Sequence, residues 1–183
     1  MIRLFTAIQI PESVKQQLLG LVRSINGARW QSFEQLHITT NFIGDVDNSL
    51  LPEINKALES VTADAFDLEV YGVDYFGSKR YPRVLIANIK ATPRLIQLHK
   101  MINNVLVDVG IEMENRKFKP HITLARLKQT PFHCVGQFLE SEGLFKTDNF
   151  PVDEFHLFSS KLSHEGSQYF IEASYPLGQA SSL

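Results

Sequence analysis

Cysteine is almost missing from this chain. Cys134 is the one copy in 183 residues, so no intrachain disulfide can form and a reducing setting is expected. No apolar run approaches the ~20 residues that a membrane-spanning helix needs. The N-terminus carries no signal-peptide pattern either, which makes the expected location cytoplasmic and membrane association unexpected. Neither sign of charge dominates: 18 Lys and Arg against 20 Asp and Glu leave a formal net charge of −2. That balance argues against coating long nucleic acid through a general basic field, while a local patch could still hold one phosphate or one strand end. Glycine-rich phosphate loops, HExxH and clustered Cys/His spacings are all lacking. Neither a cofactor nor a catalytic metal is expected, and the short acidic turn Asp45-Val46-Asp47 reads as solvated.

What the chain does have is one tripeptide twice. His37-Ile38-Thr39 and His121-Ile122-Thr123 both sit in β-branched, apolar surroundings that read as strands. Side chains alternate along a strand, so each histidine shares a face with its threonine while the isoleucine takes the other. An imidazole works near neutral pH as proton donor or acceptor. Two in one cleft suit in-line displacement at phosphorus, with Thr39 and Thr123 donating to the non-bridging oxygens. Arg126 would add a cation, but strict alternation turns it away from His121, so its participation requires a strand end or a bulge.

The context of each copy repeats as well. A strand from Arg3 to Ile8 precedes a helical pattern (Val14, Leu18, Leu21, Val22, Ile25) that Gly27 would stop, then the first motif strand, about Gln35 to Ile43. A strand from Arg83 to Ile89 precedes Thr92-Pro93, which has the form of a helix cap, and the face Leu95, Leu98, Ile102, Val105 and Leu106. Gly110 would stop that helix before the second motif. Helices over about 49–61 and 131–142 and strands Phe66 to Tyr75 and Phe150 to Phe158 follow the two motifs, and Gln168 to Tyr175 closes the pattern. The implied fold is α+β: a bilobal pseudo-two-fold duplication, with antiparallel sheets lining a central cleft and helices outside. Residues 1–183 would form one domain of two intertwined lobes, each giving one motif.

Other candidates are less specific. Lys79, Arg80 and Arg83 alternate with Tyr75, Phe76 and Tyr81, a set that can contact phosphate and stack on a base; a solvated loop with core-facing aromatics is the other reading. Trp30 and Phe42 read as core residues, with the cleft lining as the other place for either. His99 in a helix, His133 and His164 in loops, and His156 in a late strand read as structural or surface residues, and Cys134 as inert.

At these residues the chain resembles the 2H phosphoesterase superfamily, and within it the RNA 2′,3′-cyclic phosphodiesterases, also called 2′-5′ RNA ligases. The similarity runs through RLFTAIQIP, RWQSFEQLHITTNFIGD, YFGSKRYPRVLIANI, KFKPHITLARL and FHLFSSKLSHEGSQYFIEASYPL. It implies His37 as proton donor, His121 as acceptor, Thr39 and Thr123 on the phosphate and Arg126 helping to hold it; Phe42, Arg80 and Tyr81, from the residues themselves, are the further candidate substrate contacts. It also implies metal-independent opening of an RNA 2′,3′-cyclic phosphate to a 2′-phosphomonoester, reversible to 2′-5′ ligation. The expected partners are RNA ends or cyclic nucleotides as substrate, and the expected state is a monomer. Another small cyclic or 2′-5′ nucleotide as substrate, and a non-catalytic module that binds RNA ends, are the alternatives. The first motif departs from the usual His-x-Thr-Leu by carrying Thr40 where the second has Leu124. A buried Thr40 would need a hydrogen-bond partner.

Overall fold

The computed structural model describes residues 1–178. In chain order they form β1 (Ile2–Ile8), α1 (Glu12–Leu19), β2 (Ala28–Trp30), β3 (Ile38–Val46), α2 (Leu51–Glu59), β4 (Phe66–Leu68) and β5 (Val70–Gly77). Then come β6 (Pro82–Ile89), α3 (Pro93–Asp108), β7 (His121–Leu127), α4 (Phe132–Glu142), β8 (Phe150–Val152), β9 (Glu154–Ser163) and β10 (Gly166–Pro176). The main sheet has the order β10-β9-β1-β3-β7-β6-β5, with β2 beside β7, and its pairs are antiparallel.

This order displays the duplication. The first half supplies β1, β3 and β5 and the second supplies β6, β7 and β9, in matching sequence positions. Each half gives its last matching strand to the other: β9 pairs with β1, and β5 with β6. The halves meet where Ile38 pairs with Ile122 and, in a separate two-stranded sheet, where Asp67 pairs with Pro151. Both pairs join equivalent residues (122 − 38 and 151 − 67 each give 84), so a pseudo-two-fold axis passes between them.

Helices cover the sheet with their apolar stripes. In α3, Leu95, Leu98, Ile102 and Leu106 are fully buried, each contributing about 1.5–3 kcal/mol. Its start is as the sequence predicts: the Thr92 hydroxyl accepts from the Leu95 amide at 3.3 Å, and Pro93 opens the first turn.

Several boundaries differ from expectation. Helix α1 stops at Leu19 rather than near Gly27, because Leu21 and Val22 donate to Leu18 and Leu19, three residues back, and tighten the chain out of the α-helix. Gly27 has another task. It holds φ 79° against the second motif strand's end, where a Cβ would lie 2.1 Å from the Lys128 carbonyl. The long strands expected over 66–75 and 150–158 are each split, at Glu69 and Asp153. Their first parts pair with each other as β4 and β8, and their second parts enter the main sheet. His133 lies on α4 rather than in a loop, and His37 sits just before β3, after a 3₁₀ turn over Phe33–Gln35.

Candidate active site

The two motifs are anchored by the same bond. His37 Nδ1 donates to the Gln35 carbonyl and His121 Nδ1 to the Lys119 carbonyl, both at 2.7 Å and both two residues upstream. A carbonyl only accepts, so each Nδ1 carries hydrogen and each Nε2 is left as the working nitrogen. Thr39 Oγ1 stands 3.0 Å from His37 Nε2. His121, Thr123, Thr39, Phe42, Tyr81, Arg83 and Arg126 line one cleft of about 1250 Å³.

A pair of bulges explains both the arginine and the irregular Thr40. Along β7, Leu85 pairs with Ala125 but Ile86 pairs with Thr123, leaving Leu124 as an extra residue. Leu124 and Ala125 are therefore both buried, alternation shifts by one, and Arg126 emerges on the face of His121 and Thr123. The first copy does the same. Thr6 pairs with Asn41 and Ala7 with Thr39, so Thr40 is the extra residue and Phe42 emerges into the cleft, 61% exposed. Phe42 is thus the pseudo-symmetric counterpart of Arg126 and not a core residue. Buried Thr40 has its partner, the Thr6 hydroxyl at 2.6 Å.

The two histidines have unlike surroundings. His37 packs among Phe5, Phe158 and Tyr169, with ring centroids 5.2, 6.3 and 5.1 Å away. Burial pushes its pKa down to about 4; the Gln35 carbonyl opposes the shift, and the positive charges of His121, Lys15 and Arg126 add to it. His121 meets the edge of Phe76 at 4.8 Å. Its pKa is also lowered, first by burial, with the Lys119 carbonyl opposing and the charges of Lys119 and Arg126 adding. Both rings are therefore neutral at pH 7 in the free protein.

The basic–aromatic cluster divides. Phe76, Tyr81 and Arg83 reach the cleft. Arg80 stands outside its lining, over the Tyr81 ring at 5.4 Å, and Lys79 lies over Phe132. Tyr75 packs against the core, and Trp30 is half-buried with its indole N–H donating to the Arg23 carbonyl. His99 differs from its structural reading because it lines the cleft, with Nδ1 donating to the Thr40 carbonyl at 2.9 Å. Its place in a helix with apolar neighbours hid this, and only the non-local contact to β3 shows it. Among the described residues, no group of three or more His, Cys, Asp or Glu is placed to hold a metal ion, and no helix is long and apolar enough to cross a membrane.

A family model described as LigT like phosphoesterase matches residues 8–86 and again 88–169. The chain belongs to the LigT-like phosphoesterase family. The doubled match follows the duplication closely: each segment contains one His-Ile-Thr motif, and the boundary between them falls within β6. Among its relatives, an RNA 2′,3′-cyclic phosphodiesterase of Thermotoga maritima is 34% identical, over 91% of both chains. One of Thermus thermophilus is 31% identical, over 96% of this chain and 90% of the other. A crystal structure of a Thermus thermophilus protein superposes with a TM-score of 0.82 at 26% identity, covering 97% of this chain and 98% of that one. Escherichia coli LigT in complex with 3′-AMP shares the fold, with a TM-score of 0.79 at 23% identity and coverage of 97% and 99%.

Proposed function

We propose that this LigT-like protein opens the 2′,3′-cyclic phosphate at an RNA end to a 2′-phosphomonoester, by acid–base catalysis between His37 and His121. The observation that supports this most is the matched pair itself: two imidazoles held by equivalent Nδ1 bonds in equivalent motifs, His121 in the cleft lining and His37 behind it, bonded to Thr39 of that lining. The names of the relatives, RNA 2′,3′-cyclic phosphodiesterases, specify the substrate class.

In the forward reaction His121 Nε2 takes a proton from water as the water oxygen bonds to phosphorus. The bond from phosphorus to the 3′ oxygen breaks on the opposite side, and His37 gives its Nε2 proton to that oxygen. Thr39 and Thr123 donate to the non-bridging oxygens, and Arg126 offsets the charge that gathers on them. With an RNA 5′-hydroxyl in place of water, the same displacement forms a 2′-5′ linkage.

The acid must begin protonated, and burial among Phe5, Phe158 and Tyr169 opposes that in the free protein. The cyclic phosphate monoanion brings the compensating charge, so His37 takes up its proton as substrate binds. A ring that gives up its proton readily is also the stronger acid when the 3′ oxygen leaves. Phe42 and Tyr81 offer exposed aromatic faces to a base, with Arg80 supporting Tyr81. We assign the active form as one domain of two lobes, a monomer working in the cytoplasm without cofactor or metal.

Turnover of a short RNA ending in a 2′,3′-cyclic phosphate, in excess chelator, tests this reading. Undiminished hydrolysis is expected; activity lost to the chelator and restored by added metal would contradict it.

A further inference from the structure

Cations gather in the cleft although the chain as a whole is slightly acidic. Arg83, Arg116, Lys117, Lys119 and Arg126 line it, against Glu114 as the acidic residue among the described lining. Such a wall suits a polyanion. The cleft, at about 1250 Å³, also exceeds the usual range of about 300–1,000 Å³ for a small-molecule site.

Part of that space has polar walls that the reaction at phosphorus does not use. His99 and Asn103, one helical turn apart on α3, form one wall, and the segment from Met113 to Phe118 forms the other. The His99 ring lies flat on Phe118, centroids 4.1 Å apart and planes 7° from parallel. Its Nδ1 is committed to the Thr40 carbonyl, so Nε2 is left as an acceptor when the ring is neutral. Asn41, only 3% exposed, donates its amide to the His99 carbonyl, while its own Oδ1 meets no donor among the described residues. Arg116, paired with Glu114 at 3.3 Å, and Lys117 complete this end of the cleft.

We propose that this end is a second nucleotide subsite, for the nucleotide that precedes the cyclic phosphate. The proposal rests on the reading of the preceding subsection and narrows its substrate to an RNA end of at least two nucleotides, in preference to a cyclic mononucleotide. Arg116 and Lys117 meet the phosphodiester between the two nucleotides; His99 Nε2 accepts from a ribose hydroxyl or base N–H group. The spacing is suitable. His99 is bonded to the carbonyl of Thr40, the residue after Thr39, and Phe118 precedes His121 by three residues, at most about 10 Å of chain.

The test is calorimetric binding of a dinucleotide carrying a terminal 2′-phosphate, compared with a nucleoside 2′-phosphate, to the wild type and to the double variant Arg116→Glu/Lys117→Glu. Both side chains are exposed, which makes loss of folding unexpected. The wild type should bind the dinucleotide about tenfold or more tightly than the mononucleotide, one added phosphate contact and one added base. The variant should lose most of that margin, and the salt dependence of dinucleotide binding should weaken by about one in slope for each contact removed. Equal affinities in the wild type, or a margin that survives charge reversal, would overturn the subsite. These readouts need no turnover, so they separate the subsite from the proposed reaction: a protein that fails to hydrolyse any cyclic phosphate yet keeps the margin would retain the one and lose the other.

Discussion

Ile38 pairs with Ile122 where β3 joins β7, and both side chains are fully buried. The antiparallel register around that pair sets His37 next to Thr123 and Thr39 next to His121, on the opposite face. Each histidine thus neighbours the threonine of the other motif. Core packing on one side of the strands holds the reacting groups on the other.

Truncating that pair should therefore cost both stability and activity. Ile122→Ala or Ile38→Ala is expected to destabilise by about 2–5 kcal/mol in urea unfolding, and Ile122→Val by about 0.5–1.5 kcal/mol. Because the residues touch, the double variant should depart from additivity by about 0.5 kcal/mol or more.

Thr40 gives a prediction with its own control. Thr40→Val removes the nearer partner of the Thr6 hydroxyl, leaving it the Asn41 carbonyl at 3.5 Å, and should cost about 1–3 kcal/mol in denaturant unfolding. Thr6→Val/Thr40→Val removes both hydroxyls and should recover much of that loss. Turnover should change little in either variant, since Thr40 faces the interior.

The bulges mark the limit of what the sequence disclosed. The twin motifs, their shared parity and the doubled element order are local patterns and were legible, as was the Thr92-Pro93 helix start. Bulges at Thr40 and Leu124 depend on which residues of β1 and β6 pair across, and pairing register is not written in the bulged strand alone. The same holds for the breaks at Glu69 and Asp153, where one apolar run serves two sheets. The need for a bulge to bring Arg126 to the site could be stated from the sequence; its counterpart, which turns Phe42 from the core into the cleft, could not.

Arg126 and Phe42, equivalent in position, should differ in effect. Arg126→Ala should lower kcat about 10²- to 10³-fold, as does loss of a group that meets charge developing in the transition state. Phe42→Ala should act mainly on KM, costing about 1–3 kcal/mol of base stacking. Steady-state kinetics on a cyclic-phosphate RNA separates the two; a fall in kcat alone for Phe42→Ala would contradict its assignment.

The pH dependence follows from the depressed histidines. Reaction requires one proton shared between two rings that are both lowered from 6.5, His37 to about 4. As pH falls from 7, the singly protonated form first grows, then yields to the doubly protonated form. The kcat/KM profile, which reports the free enzyme, should be a bell with its optimum on the acid side of 6.5. Bound phosphate favours the imidazolium, so the kcat profile should lie at higher pH. A kcat/KM optimum above neutrality would contradict this electrostatic description.

The most direct measurement is product analysis by ³¹P NMR on an RNA ending in a 2′,3′-cyclic phosphate, with the wild type, His37→Ala and His121→Ala. The expected result is a 2′-phosphate from the wild type and turnover abolished in each variant. A 3′-phosphate product, or full activity in either histidine variant, would contradict the assignment of the pair.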